Sequence, residues 1–165
     1  MNAIEALSFA KELLEAYGLT DWRVGLDRSR RRFGRCNYLR KEITLSLALV
    51  ELNNQAEVLD TILHEIAHAI AGPEAGHREA WKKVARSLGC SAERCYSAVR
   101  TALPPPRLVL ECPRCGAVIH RERMPRRRIA CGTCCARYSG GRFDPQFLMR
   151  RREGAPGSAA SRSRE

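Results

Sequence analysis

NQAEVLDTILHEIAHAIAGPEAGHREAWKKVARSLG, residues 54–89, decides the architecture. Asn54 followed by Glu57 is a capping-box-like helix start. Val58, Leu59, Ile62, Leu63, Ile66, Ala67 and Ile70 then recur at helical spacing and form one broad apolar stripe. Gly72-Pro73 ends that helix. A short loop, Glu74 to Gly76, leads to His77. Ala80, Trp81, Val84, Ala85 and Leu88 mark one face of a second helix, stopped at Gly89.

Within the first helix stands His64-Glu65-Ile66-Ala67-His68, an H-E-x-x-H pattern. Residues four apart share a helix face, so His64 and His68 can offer ring nitrogens to one zinc ion. Glu65 is displaced by about 100° around the axis, within reach of a metal-bound water without being a ligand. A hydrolytic zinc site takes three protein ligands and keeps one position open. His77 is the favoured third ligand, with Glu74 and Glu79 as alternatives. The competing reading is a helix with two solvated histidines and a surface glutamate. The apolar setting and the third histidine count against it. The implied chemistry is peptide hydrolysis, with Glu65 as general base and then acid. Tyr38, His120 or an arginine are the candidates to stabilise the oxyanion.

Upstream, residues 3–17 carry Ile4, Leu7, Leu14 and Tyr17 at helical spacing, with Gly18 as the stop. Trp22, Val24 and Leu26 alternate as in a half-buried strand. Two further strands are expected over 33–38 and 42–47. The fold class expected is α+β: an N-terminal helix, a small antiparallel sheet, the H-E-x-x-H helix and following helices, and a small β zinc-ribbon module. A last short helix is expected from Ser91 to about Ala102.

Pro104-Pro105-Pro106 reads as a stiff linker. It separates a domain over 1–103 from a ribbon over 107–148, with a disordered basic tail over 149–165. In the ribbon, Cys112-x2-Cys115 and Cys131-x2-Cys134 have the spacing of a closed, four-thiolate structural zinc site. Cys135 in place of Cys134 as the fourth ligand is a second possibility. Cys36, Cys90 and Cys95 read as buried small apolar residues. The expected cofactors are therefore two zinc ions, one catalytic and one structural.

The chain has 165 residues, enough for one domain and an appendage. No apolar run reaches membrane-spanning length, and the acidic amphipathic start lacks signal-peptide features. A cytosolic protein is expected. The net charge is +11, unevenly spread. Residues 1–106 carry a net +2, and residues 107–165 a net +9. Arg121, Arg123, Arg126, Arg127 and Arg128 cluster in what a ribbon would expose as a hairpin loop. Guanidinium groups match phosphates, and Tyr138 and Phe143 could stack on bases, so a nucleic-acid partner is expected. The alternative is an ordinary solvated loop in an arginine-biased protein.

His64-Glu65-Ile66-Ala67-His68, then Gly76-His77 followed by Trp81-Lys82-Lys83, resembles the SprT-like family of zinc metalloproteases, which includes the Spartan proteases. Gly34-Arg35-Cys36-Asn37-Tyr38 before Glu42-Ile43-Thr44-Leu45-Ser46 is similar to that family's sheet, and many members carry a four-cysteine ribbon. Arg78 stands where the family often has glycine. The resemblance implies a compact α+β protease domain with His64, His68 and His77 on zinc and Glu65 catalytic. For some relatives it also implies cleavage of proteins crosslinked to DNA, hence a role in DNA repair. A non-catalytic zinc protein that binds nucleic acid or a transcription complex is the competing expectation, and an unrelated metallohydrolase such as an amidase is a third.

Overall fold

The computed structural model describes residues 1–93 and 101–152, which fall into two compact units with the boundary along the chain between Pro104 and Pro105. The first unit opens with helix α1 (Ala3–Ala16). Asn2 caps it reciprocally with Glu5, satisfying two otherwise orphaned backbone N–H groups. Ala6, Ala10 and Leu14, one turn apart, are its buried face. Strands β1 (Arg23–Asp27), β2 (Gly34–Asn37) and β3 (Glu42–Ser46) follow, then helices α2 (Leu47–Leu52), α3 (Gln55–Ala71) and α4 (Glu79–Ser87).

The sheet order is β1-β3-β2. β2 runs antiparallel to β3, but β1 runs parallel to it, so the sheet is mixed and not wholly antiparallel as expected. The cause lies in residues 28–33, which carry the chain past the end of β3. Asp27 accepts hydrogen bonds from the Ser29 backbone N–H, the Arg32 guanidinium and the Thr44 hydroxyl. The Ser46 hydroxyl donates to the Ser29 carbonyl at 2.6 Å. The crossover is thereby fastened to β3, which takes the central, most buried place.

Ile43 and Leu45 of β3 turn toward Ala6, Ala10 and Leu14 of α1 and Val58, Ile62 and Ile66 of α3, forming the main core. A second cluster of Ala67, Ala75, Trp81, Ala85 and Cys90 joins α3 to α4. α3 starts at Asn54, whose side chain accepts from the Glu57 N–H, and stops at Gly72, whose φ of 82° is a left-handed value suited to glycine. α2 is not anticipated by the sequence reading. Ser46, the last residue of β3, caps it by accepting from the Leu49 N–H. Most of the helix expected over 91–102 lies outside the described residues. Residues 91–93 and 101–103 are not helical.

The second unit holds strands β4 (Leu108–Glu111), β5 (Val118–Arg121) and β6 (Arg150–Arg151), in the order β5-β4-β6 with antiparallel pairings. It also contains helix α5 (Gly132–Tyr138), which the expectation of a purely β module misses. The tail is expected from Met149, yet Met149 bonds to the Ile129 carbonyl and β6 pairs with β4. Pairing with an open strand edge supplies the partners that composition alone does not reveal. Residues 153–165 of the expected tail lie outside the described residues. No described helix is long and apolar enough to cross a membrane.

Candidate metal centres

His64 and His68 lie one turn apart on α3, and His77 precedes α4. The turn between them depends on Gly76, with φ of 52°. Arg78 adopts an extended conformation (φ −76°, ψ −177°) open to any residue, so the arginine there disturbs nothing. Folding brings the three rings together. His77 Nε2 lies 3.1 Å from His68 Nε2 and 3.2 Å from His64 Nε2. Tetrahedral zinc–nitrogen bonds of about 2.0–2.1 Å would place such atoms about 3.3 Å apart. Three converging ring nitrogens at this spacing fit a divalent ion of zinc's size, and one shared proton could not satisfy them all.

The two glutamates that competed with His77 are elsewhere. Glu74 is exposed, and Glu79 is exposed and paired with Arg86 at 2.9 Å. Glu65 lies outside the converging group, as a residue 100° around the helix should. It is only 7% exposed. Burial pushes its carboxyl up to about 7, against the opposing pull of the Arg32 charge and a hydrogen bond from the Cys36 backbone. Burial likewise lowers His64 and His68 to about 4, with neighbouring imidazoles adding to the effect, which keeps these rings neutral and able to ligate.

Of the oxyanion candidates, the Tyr38 hydroxyl faces the carbonyls of His68 (3.2 Å) and Gly72 (3.3 Å) at the C-terminal end of α3. There it satisfies helix-end acceptors. His120 lies on β5 of the second unit. Arg32 is the arginine whose charge reaches Glu65.

Two neighbours escape the sequence reading. A Cβ on Gly34 of β2 would stand 2.6 Å from Glu65 Cγ and Oε1, so the buried carboxylate occupies space that only glycine leaves free. Cys36, expected to be buried, is only partly so, on the same strand, and that burial pushes its thiol up to about 12, Glu65 contributing. No local pattern signals either contact, because β2 and α3 meet only in the folded chain.

In the second unit Cys112, Cys115, Cys131 and Cys134 converge, with Sγ separations of 3.8 Å (Cys112 to Cys134) and 3.6 Å (Cys115 to Cys131). Zinc–sulfur bonds of about 2.3 Å in a tetrahedron imply about 3.8 Å, so this set also fits zinc. Gly116, with φ of 70°, turns the chain back after the first pair, and its N–H bonds to the Cys112 carbonyl. Cys131 is the N-cap residue of α5 and Cys134 lies in its first turn. Cys135, the alternative ligand, is outside the group and packs with Phe147 in the small core. Cys90 is buried; Cys95 lies outside the described residues.

Arg121, Arg123, Arg126, Arg127 and Arg128 are all exposed. Their segment runs from β5 to the second cysteine pair and does not join two paired strands, so it is not the hairpin loop expected. Arg126, Arg127 and Arg128, with Arg150, edge a groove of about 400 Å³ containing Met124, Ile129 and Met149. Arg114 covers the Tyr138 ring at 4.3 Å, while Phe143 is 57% exposed.

A family model described as the SprT-like family matches residues 6–101, more than half of the chain. Comparison with the curated proteins and with the solved structures finds no significant match.

Proposed function

The chain belongs to the SprT-like family, and from that premise we propose that it is a zinc-dependent endopeptidase acting on nucleic-acid-associated proteins, including proteins crosslinked to DNA. The carrying observation is the convergence of His64, His68 and His77 with Glu65 buried beside them and outside the ligand set. His64, His68 and His77 would hold the catalytic ion, and Cys112, Cys115, Cys131 and Cys134 a structural one. Zinc bound at the histidines supplies Lewis-acid polarisation of the scissile carbonyl and a water acidified toward neutrality. Glu65 takes the water's proton and delivers it to the departing amine. A metal scaffold alone has no need of a buried carboxylate at this position.

The charge of the second unit supports the nucleic-acid part. Its five clustered arginines are solvent-facing, and guanidinium groups suit phosphates. A non-catalytic zinc protein binding nucleic acid or a transcription complex is the competing reading, favoured by the same arginines.

The test is cleavage of casein and self-cleavage, with and without single-stranded DNA, by wild type and Glu65→Gln. Wild type cleaves, faster with DNA, while the variant keeps its zinc and cleaves nothing. DNA binding without any cleavage by wild type would establish the competing reading. Equal cleavage by both proteins would remove Glu65 from the mechanism.

A further inference from the structure

We infer that Trp81 is a positioning residue for the histidine centre, a single indole platform on which all three ligand rings rest. The inference rests on the three histidines holding an ion, as proposed above. Trp81 lies in the first turn of α4 and is fully buried. Its ring centroid is 4.7 Å from His64, 5.1 Å from His68 and 4.7 Å from His77. The His68 ring stacks on it at 27°, while those of His64 and His77 meet it at 60° and 72°. Both classes of arrangement are favourable for aromatic rings at these separations.

His64 and His68 are fixed to each other by α3, but His77 comes from the loop beyond it. The indole spans that division. It touches the α3 rings and the loop ring together, from a helix packed on α3 through Ala67, Ala75 and Ala85.

A second observation singles out tryptophan. Trp81 Nε1 is buried without a hydrogen-bond partner among the described residues, the only such side-chain atom there. An unsatisfied buried donor is costly. Phenylalanine would fill most of the site without that cost. What it lacks is the second ring, and so the reach to support three imidazoles at once. Groups that orient metal ligands from outside the coordination sphere commonly govern affinity.

Two experiments on the full chain test this, and neither reads cleavage. In Trp81→Phe, zinc at the histidine centre should be stripped by chelator concentrations about ten- to a hundredfold lower than in wild type. The cysteine-held zinc should be unchanged and serves as the internal standard. Histidine-site zinc held as tightly as in wild type would overturn the inference.

The second experiment keeps the indole. Trp22 and Trp81 are the only tryptophans, so Trp22→Phe leaves one emitter. Cobalt(II) filling the centre should quench most of its emission, and adding His77→Ala should abolish that quenching. Undiminished emission at full cobalt uptake would overturn the platform even if Trp81→Phe failed to fold. Failure of the unaltered protein to bind metal at the histidines would overturn both this inference and the proposed function. Metal bound normally with no response to Trp81 overturns this inference alone.

Discussion

Gly34→Ala is a one-carbon perturbation aimed at the general-base candidate. The new Cβ would stand 2.6 Å from Glu65 Cγ and Oε1 and 2.9 Å from Cδ. Carbon atoms in contact sit about 3.5–4.0 Å apart, so the shortfall is about 1 Å. Cγ is near the root of the side chain, and Glu65 is buried, so no simple rotation of a free end relieves the clash. Overpacking of this kind costs about 1–3 kcal/mol. Gly34 does not have a left-handed φ. Alanine is therefore otherwise acceptable there and would gain about 0.4–1 kcal/mol through the unfolded chain. If the strain stays in place, the unfolding midpoint of the first unit falls by about 4–8 °C per net kcal/mol. If Glu65 moves by about 1 Å instead, cleavage falls by about 10²-fold. The assay is a double-mutant cycle with Glu65→Ala, combining thermal unfolding, zinc content and casein cleavage. With the glutamate shortened, Gly34→Ala should be neutral or slightly stabilising, and zinc content should be normal throughout. Wild-type stability and cleavage in Gly34→Ala would refute the reasoning, as would an equal loss of stability in both backgrounds.

Tyr38→Phe should lower stability by about 0.5–1.5 kcal/mol through the lost bond to the end of α3, with cleavage nearly unchanged; a 10²-fold or greater rate loss would make its hydroxyl an oxyanion donor. Metal analysis should find two zinc ions per chain, falling to one in Cys134→Ser and remaining two in Cys135→Ser, because only the former thiol points into the cluster. Glu79→Gln should leave the zinc content at two, since its carboxylate faces Arg86 in solvent. Replacing Arg126, Arg127 and Arg128 together by alanine should flatten the salt dependence of single-stranded DNA binding by about 2 in log–log slope, at about 0.7 per lost phosphate contact. An unchanged slope would place the contacts elsewhere.

Much of this molecule is readable locally. α3 announces itself through apolar side chains one turn apart and a cap at Asn54 three residues before Glu57, and the His64–His68 pair rides on that same period. α1 is legible as a helix, but not its buried face: of the expected Ile4, Leu7, Leu14 and Tyr17, Ile4 and Tyr17 are exposed, and Ala6, Ala10 and Leu14 turn inward. The paired cysteines are a local pattern too. α2 and α5 are less legible, because six and seven residues barely complete the turns from which a period is read. In both, the start is set by a neighbour: Ser46 finishing β3, and Cys131 held by its N–H to the Phe147 carbonyl.

By itself the sequence determined the helical course of α1 and α3, the two Cys-x2-Cys segments that carry the thiols, and the face of α3 that carries imidazole, since each follows from contacts a few residues apart. Only the tertiary structure decided the rest. It brought His77, and not Glu74 or Glu79, to the two α3 imidazoles, and Cys134, and not Cys135, to the other three thiols; it gave β1 a parallel partner, set Glu65 in the space at Gly34, and laid Trp81 beneath three rings. These are meetings between segments distant along the chain. They are fixed by which surfaces pack together and by how much volume a neighbour leaves, and neither quantity exists until the chain has folded.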